Sequence, residues 1–421
     1  MSISSEHAPE PRYGWVMVAV AGTFMMMAVG SMSALSVFMK PLTAEMGWYR
    51  GETSFAYLSA ALILGAGGIL MGHMSDRYSA RPVVLAGAVI LGAAYLLLAR
   101  QGSLTQFYIF STLMGLGVSS FQAPLISSVG NWFTKNKGLA LGIASAWGGL
   151  GNGVVPFTVA YLISLSGWRG AYSALGVFAL VVLVPLALLI RRAPAAGEQP
   201  EARGHSAERE SPPAAVAQEE TFLLSPMAVS AWLGSAAIFC CISMATPMLH
   251  LVVLAQDRGI APQKAAGILL IIAVGSFFGR ITYGRITDSI GGLRTYMLAS
   301  ISQTILVFWF TQMTSLTGFY TLALVYGFFY SGVMICLVIC VREFVPLRRR
   351  GVSTGTVFFC GWLGMGIGGW QGGFFFDLTG AYTVSFGVAA LAGVINLSIL
   401  YSLKRYFERQ EFQLINAEAP A

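Results

Sequence analysis

The sequence GHMSDRYSAR at residues 72–81 follows one long apolar run, and GRITDSIGGLR at residues 284–294 follows another. The glycine and the aspartate of the first segment recur in the second at an offset of 212 residues. Two glycine-rich segments, beginning at Gly138 and Gly351, repeat at an offset of 213 residues. Because two distant pairs of segments share nearly one offset, the sequence indicates a duplication of two related halves.

The composition is typical of an integral membrane protein. Of 421 residues, 56% are hydrophobic and only 10% are charged, and the mean hydropathy is +0.70; a soluble domain has about 25% charged residues. A helix of about 20 apolar residues spans a bilayer. We therefore predict an all-α membrane protein of twelve transmembrane helices in two pseudo-symmetric six-helix bundles. The predicted helices are residues 13–38, 52–73, 82–99, 103–129, 137–163, 170–190, 225–250, 263–287, 294–313, 316–341, 351–376 and 381–403.

One long segment between the halves is polar. Residues 191–222 are rich in Ala, Pro and Glu, and such a composition buries too little apolar surface to offset the entropy of ordering. We predict a disordered cytoplasmic linker here, between halves at residues 1–190 and 223–421. With a cytoplasmic N-terminus, the cytoplasmic segments hold 18 Lys and Arg and the outer loops hold six. The positive-inside rule then predicts a multi-pass protein of the inner (plasma) membrane with both termini cytoplasmic.

Several classes of protein are disfavoured. The basic residues are dispersed between apolar runs, so no nucleic-acid partner is expected. The five cysteines lie inside apolar runs without metal-ligand spacing, so we expect no disulfide framework, metal site or cofactor. The four histidines form no metalloprotease motif, and no pair of carboxylates lies within the predicted helices, so we expect no enzyme. The absence of a phosphate-binding loop motif disfavours an ATP-driven pump.

Arg280 is the one basic residue that falls well inside a predicted helix. An unpaired arginine at that depth costs about 2.5–3.5 kcal/mol on insertion scales, and all 18 acidic residues lie in loops, tails or run ends. The repeat offset places Gly68 at the equivalent position, so only one half carries the charge. A lone cation at a repeat interface predicts that a bound carboxylate supplies the anion. In the alternative, Arg280 extends to the cytoplasmic face or bonds backbone carbonyls.

The repeated segments resemble a known pair of loop motifs. Residues 72–81 are similar to the loop 2–3 motif of the major facilitator superfamily, with Ser79 where a glycine is usual, and residues 284–294 resemble its loop 8–9 version. A narrower resemblance is to the monocarboxylate transporters and their bacterial relatives. It rests on Tyr13-Gly14-Trp15 at the start of helix 1, on residues 131–142 at the start of helix 5, and on Arg280, which falls where that group carries its substrate-binding arginine.

Departures from the family pattern limit what the resemblance implies. The animal members pair the arginine with an aspartate one turn earlier, where this chain has Ser276, and carry a lysine in helix 1, where this chain has Ser33. Their proton relay therefore cannot be transferred residue by residue. The oxalate-type members have a second cation in helix 11, and residues 351–376 contain no Lys or Arg.

Further side chains are candidates for contact with the substrate. Asn152 either bonds the substrate or bonds a neighbouring helix, and the hydroxyls of Tyr330 and Ser331 either bond a 2-hydroxy acid or pack in the bundle. Phe359 and Cys360 either contact the methyl end of the substrate or belong to the core. The predicted substrate-binding set is Arg280, Asn152, Tyr330, Ser331, Phe359, Cys360, Ser33 and Ser276.

Proton coupling has fewer candidates, because no Asp or Glu lies in the middle of a helix. His250 ends the seventh run and histidine titrates near neutral pH; Asp257 follows in the outer loop. The carboxylate of the substrate is a third candidate. The loop motifs suggest ion pairs that close the cytoplasmic side, or alternatively a role in topology or folding. The coupling and gating candidates are His250, Asp257, Asp76, Arg77, Arg81, Asp288 and Arg294.

The resemblance implies a secondary active transporter that works by alternating access. One embedded cation suits one carboxylate, so we expect a small monocarboxylate such as L-lactate or pyruvate, carried in symport with a proton. The alternative is an antiporter for oxalate- or formate-like anions. The predicted partners are the monocarboxylate anion, a proton and the lipid bilayer.

Overall fold

The computed structural model describes residues 12–133, 136–193, 224–346 and 349–418, and within these ranges the chain is helical without strands. The predicted linker, apart from its first residues, lies outside the described residues. The first half has α1 (Tyr13–Met46), α2 (Arg50–Tyr78), α3 (Ala80–Ala99), α4 (Leu104–Trp132), α5 (137–166) and α6 (168–188). The second half has α7 (Pro226–Asp257), α8 (Pro262–Ile290), α9 (Gly292–Trp309), α10 (Leu316–Phe344), α11 (Arg350–Thr379) and α12 (Tyr382–Glu418).

Local breaks divide some of the helices. Gly167, with φ of 69°, separates α5 from α6, and α4 is interrupted between Ser119 and Gln122. Within the described ranges, nine continuous segments are long and apolar enough to cross a membrane, with α5 and α6 counted as one segment. The remaining two helices, α9 and α11, are less apolar. The first helix was predicted to end near residue 38, but it continues through Pro41 to Met46.

The two ends of the bundle can be told apart by their contacts. The phenol of Tyr13 at the start of α1 donates to the carbonyl oxygen of Leu189 after α6 at 2.6 Å, and the indole of Trp132 at the end of α4 donates to the carbonyl of Arg191. We call this end, where the first half leads into the linker, the linker face. The opposite end, where α1, α7 and α11 finish, is the far face.

The halves meet mainly where α2 crosses α11 and where α5 crosses α8. Toward the far face these helices are in close contact: Gly366 and Gly369 of α11 lie against Leu58 and Tyr57 of α2, and Gly153 of α5 lies against α8. Toward the linker face they are apart. A methyl group in place of the hydrogen would have no described atom of another helix within 4 Å at six glycines of this region: Gly68, Gly138, Gly142, Gly284, Gly351 and Gly355.

The hydrophobic core has the same asymmetry. One cluster of buried side chains joins the first half to the far-face portions of the second half, and a separate cluster holds the linker-face portion of the second half. Along α7 the division falls between Cys240 and Cys241. The halves are therefore packed together at the far face and separated at the linker face.

The duplication is visible in the backbone at residue 79. Ser79, between α2 and α3, has φ of 90° and ψ of 161°, and Gly291, 212 residues later, has φ of 83° and ψ of 160°. This region of backbone conformation is essentially restricted to glycine and costs other residues about 1–3 kcal/mol. Ser79 is the only described non-glycine residue with a positive φ.

We expect Ser79→Gly to stabilise the protein. Glycine relieves backbone strain of about 1–3 kcal/mol in the folded state. It also gives the unfolded chain more conformational entropy, which costs about 0.4–1 kcal/mol of stability. The free energy of unfolding is therefore expected to rise by about 1 kcal/mol. The reverse change at the equivalent position, Gly291→Ser, is the matched control and lowers stability. Thermal unfolding in detergent measures both, and equal midpoints for Ser79→Gly and the parent protein would contradict the assignment of strain.

Candidate functional site

Arg280 lies where α8 crosses α5. It is about 27 Å along α8 from the far-face end and about 15 Å from the linker-face end, at 1.5 Å per residue. Its side chain is partly exposed, and Nη1 donates to the carbonyl oxygen of Ser145 in α5 at 3.2 Å. Within the described residues Arg280 forms no ion pair. The guanidinium has five N–H donors, so this backbone bond leaves most of them available.

The facing surface of α5 is made by Ser145, Gly149 and Asn152, which follow at helical spacing. The Arg280 guanidinium lies flat on this surface: its carbon and two terminal nitrogens are 3.2–3.3 Å from the position of a Cβ on Gly149. The amide oxygen of Asn152 accepts a short hydrogen bond from the Ser33 hydroxyl of α1. The structure thus brings three of the predicted binding residues, Arg280, Asn152 and Ser33, to one region. Of the two alternatives for Asn152, the bond to a neighbouring helix is present.

The remaining predicted binding residues lie in helix contacts of the second half or between the halves. Ser331 bonds the carbonyl of Phe328 in its own helix, at 2.9 Å, and faces Gly279 of α8. Cys360 lies against Gly234 of α7, and Phe359 lies against Gly65 of α2.

Two hydroxyls in the second half have no hydrogen-bond partner among the described atoms. The Tyr330 phenol is buried, stacks on Tyr326 at 5.6 Å between ring centroids, and has no hydrogen-bond partner among the described atoms. The Ser276 hydroxyl, one turn before Arg280, is also fully buried and unpartnered among the described atoms. Neither Tyr330 nor Ser276 contacts Arg280 in the structure, although the three residues belong to the same half.

A cluster of charged and polar side chains joins the halves at the far face. The Arg50 guanidinium at the start of α2 bonds both carboxylate oxygens of Asp257, at 2.5 and 3.0 Å. Lys40 Nζ of α1 lies 3.1 Å from the same carboxylate. Asp257 was predicted in a loop, but it is the last residue of α7. One carboxylate of the second half therefore pairs with two cations of the first half.

A second carboxylate binds the first turn of α2. Asp377 of α11 accepts from the backbone N–H of Arg50 at 3.1 Å and of Gly51 at 2.6 Å. Backbone N–H groups at a helix N-terminus have no partner within the helix and favour an anion. The Arg50 guanidinium also lies 3.8 Å from the centroid of the Phe376 ring. Both contacts fix the start of α2 to the end of α11.

His250 is attached to this cluster through Tyr382 of α12. The Tyr382 hydroxyl accepts from Arg50 Nη1 at 3.1 Å and lies 3.1 Å from His250 Nδ1, while His250 Nε2 lies 2.7 Å from the carbonyl oxygen of Gly369. Because a carbonyl only accepts, Nε2 carries a hydrogen. Because Arg50 donates to the Tyr382 oxygen, the phenol hydrogen is free to point at Nδ1. This geometry fits a neutral His250 with its hydrogen on Nε2. We call Lys40, Arg50, His250, Asp257, Asp377 and Tyr382 the far-face cluster.

Comparison with known proteins identifies the family. The sequence model of the Major Facilitator Superfamily matches residues 19–369 and 231–417. The chain belongs to this superfamily. It is therefore a transporter and not an enzyme, and its membrane helices form the facilitator fold, as predicted.

Individual relatives are distant but extend over nearly the whole chain. Monocarboxylate transporter 13 of Bos taurus is 24% identical over 402 residues, covering 95% of this chain and 91% of the relative. Monocarboxylate transporter 4 of Rattus norvegicus is 26% identical over 418 residues, covering 95% and 84%. The predicted resemblance to monocarboxylate transporters is thus confirmed, at low identity.

Solved structures share the fold. A bacterial homologue of the human lysosomal transporter Spinster, in an inward-facing and unoccupied conformation, has a TM-score of 0.70 at 15% identity, covering 96% of this chain and 99% of that one. A variant of the nucleoside transporter NupG has a TM-score of 0.71 at 14% identity, covering 93% and 99%.

The loop motifs of this facilitator lie at the open linker face. Asp76, Arg77 and Arg81 are exposed, as are Asp288 and Arg294. Within the described residues none of them forms an ion pair; Arg77 contacts only the ring of Tyr78, at 5.4 Å from its centroid. The gating contacts suggested for Asp76 were ion pairs with Arg77, with Arg81 or with a basic residue at the start of α11. None of them is present among the described residues, whose linker-face ends are apart.

Several residues of this facilitator were missed as site candidates. Lys40 and Arg50 were counted only as outer-loop charges, and Asp377 and Tyr382 were not considered. The sequence did contain a signal for them. Lys40 and Arg50 lie at the end of α1 and the start of α2, on the same side of the membrane as the aspartates that lie near the ends of α7 and α11. Gly149 and Ser145 gave no such signal, because they act through the backbone.

Proposed function

We propose that this facilitator carries a small monocarboxylate, of the L-lactate or pyruvate type, and that Arg280 binds its carboxylate. The observation that carries the proposal is a guanidinium between the halves whose only described polar partner is one backbone carbonyl. A neutral carbonyl leaves the positive charge uncompensated, and a carboxylate matches the planar fork with two charge-assisted hydrogen bonds. The similarity to monocarboxylate transporters supports this class of substrate.

The number of embedded charges favours one carboxylate over two. Arg280 is the only cation described in the middle of the bundle, since Lys40 and Arg50 are paired at the far face. A dicarboxylate would leave a second negative charge in a region of low dielectric. The second candidate function is exchange of oxalate- or formate-like anions. Its support is that no described acidic residue pairs with Arg280, so no carboxylate of the protein is available there to carry a coupled proton.

The separation of the linker-face ends supports alternating access. We assign the linker face to the cytoplasm of the inner (plasma) membrane, as the distribution of Lys and Arg suggests, so the described state is open to the inside. The reverse state requires the far-face cluster to separate. It also requires the loop motif at residues 72–81 to approach α11, and the motif at residues 284–294 to approach α5, the helix equivalent to α11 in the first half. Ion pairs on the two faces then stabilise opposite states.

We assign proton coupling to the far-face cluster. In the closed arrangement Asp257 is paired with two cations and His250 is neutral, so neither holds an extra proton. A second proton on His250 would turn the Tyr382 hydrogen away from Nδ1 and would add a positive charge to a cluster that already holds Arg50 and Lys40. Proton binding at these groups therefore favours opening of the far face, and in symport its closure passes the proton inward to the linker-face side together with the substrate.

Uptake of labelled L-lactate into proteoliposomes tests the function. An inward proton gradient is expected to drive accumulation above the equilibrium level, and an uncoupler is expected to abolish it. Exchange against unlabelled L-lactate without a gradient measures translocation alone. Exchange with oxalate or formate in place of L-lactate would favour the second candidate, and uptake that ignores the gradient would exclude symport.

The substitution His250→Gln locates the proton site. Glutamine can still donate to the carbonyl of Gly369 but does not titrate. We expect gradient-driven accumulation to fall while exchange without a gradient persists. If both activities are retained in full, His250 is not the coupling group, and Asp257 or the substrate carboxylate takes its place.

A further inference from the structure

The guanidinium of Arg280 belongs to the second half, but the surface that holds it belongs to the first. Its carbon and both terminal nitrogens lie 3.2–3.3 Å from the position that a Cβ on Gly149 would take, and Nη1 bonds the carbonyl of Ser145 one turn earlier in α5. Distances of this size are tighter than most contacts of a real Cβ with its neighbours. A methyl group at residue 149 would therefore push the guanidinium by a few tenths of an ångström from its present position.

We infer that Gly149 is a positioning residue for the substrate: with the Ser145 carbonyl, it fixes the plane of the Arg280 guanidinium so that its remaining donors face the space between the halves. The inference rests on the proposed function of Arg280. A carboxylate takes two parallel hydrogen bonds from a guanidinium, and this geometry requires a defined plane. Gly149 fixes that plane by having no side chain, and the Ser145 carbonyl fixes the rotation of the group within it.

The duplication makes this assignment specific to one side of the molecule. The residue equivalent to Gly149, at an offset of 213, is Trp362, and the residue equivalent to Arg280, at an offset of 212, is Gly68. At the other crossing of the halves, Trp362 of α11 lies against Gly65 of α2. Each crossing thus pairs one large residue with a glycine, but the large residue lies on α8 at one crossing and on α11 at the other.

The substitution Gly149→Ala tests the inference, with Gly148→Ala as the matched control. A Cβ at residue 148 would lie 3.5 Å from Met25 and 3.6 Å from Val29, which is ordinary packing within the first half. Both changes raise helix propensity equally. We expect Gly149→Ala to raise the KM for L-lactate about tenfold, as loss of one hydrogen bond to a charged group does. We expect Gly148→Ala to change the KM by less than about twofold, with unfolding midpoints of both variants at or above that of the parent.

A double-mutant cycle separates positioning from a general packing effect. In an Arg280→Lys background the compact ammonium needs no flat surface, so Gly149→Ala is expected to change the KM by less than about twofold. Equal effects of the two alanine substitutions, or the same tenfold effect in the Arg280→Lys background, would overturn the inference. If Arg280→Gln leaves the KM unchanged, the proposed function of Arg280 fails; if Arg280→Gln raises the KM but Gly149→Ala does not, only the positioning role fails.

Discussion

Replacing Arg280 by glutamine is expected to raise the KM for L-lactate by about ten- to a hundredfold. The substrate carboxylate would lose charge-assisted hydrogen bonds of about 1.5–3 kcal/mol, and each 1.4 kcal/mol is about tenfold in affinity. Glutamine can still donate to the carbonyl of Ser145, so the helix contact is retained in part. Initial rates of labelled L-lactate uptake across a range of concentrations measure the effect.

The conservative change Arg280→Lys separates charge from shape. Lysine retains the positive charge but gives only a point donor, so an intermediate KM is expected. Arg100→Gln, at the exposed end of α3, is the control for loss of one positive charge outside the site and the gating motifs, and it is expected to leave the KM unchanged. Binding of L-lactate by Arg280→Gln with the affinity of the parent would remove the substrate site from this crossing of α5 and α8.

Replacing Asp257 by asparagine is expected to shift the transporter toward the state that is open at the far face. The amide would no longer hold Lys40 and Arg50, whose side chains are 39% and 15% exposed. For groups of this partial exposure the loss is about 1–3 kcal/mol, between that of a surface pair and that of a buried one. A two-state equilibrium then changes by about five- to a hundredfold. Hydrogen exchange measured by mass spectrometry is expected to accelerate at the start of α2 and the end of α11.

The control for this shift is Glu45→Gln. Glu45 pairs with Arg169 at the same face, but both residues belong to the first half. The substitution removes an exposed ion pair at the same face without affecting contact between the halves, so the hydrogen exchange of α2 and α11 is expected to remain that of the parent. If Asp257→Asn and Glu45→Gln accelerate exchange equally, the far-face cluster does not decide which face is open.

The sequence was sufficient to predict the class, the twelve helices and the duplication, because hydrophobic length and a fixed offset both survive divergence. Helix ends were harder to place. The first helix continues past Pro41 to Met46 because its last turns contact the far-face residues of the second half, and periodicity within one helix carries no trace of such contacts.

A candidate site could be predicted from the sequence where a residue conflicts with its surroundings. Arg280 was identified because an arginine deep in an apolar run needs an explanation. Lys40, Arg50 and Asp377 lie at helix ends, where charge is ordinary, and only the packing of the two halves shows that they meet. The backbone carbonyl of Ser145 has no residue-type signature, so the contact between the halves at Arg280 had to be found in the structure.

The glycines of α11 lower the free energy that is needed to separate the two halves at the far face. At the far face Gly366, Gly369 and Gly373 bring the backbone of α11 against α2. Free energy from removing surface from water scales with apolar area, about 25 cal/mol for each Å², and glycine contributes no side chain to that area. Opening this seam to water therefore exposes less apolar surface than parting a seam of leucines would. In the alternating-access cycle proposed above, this keeps the two end states close in energy, so that a few ionic groups at the rims choose between them.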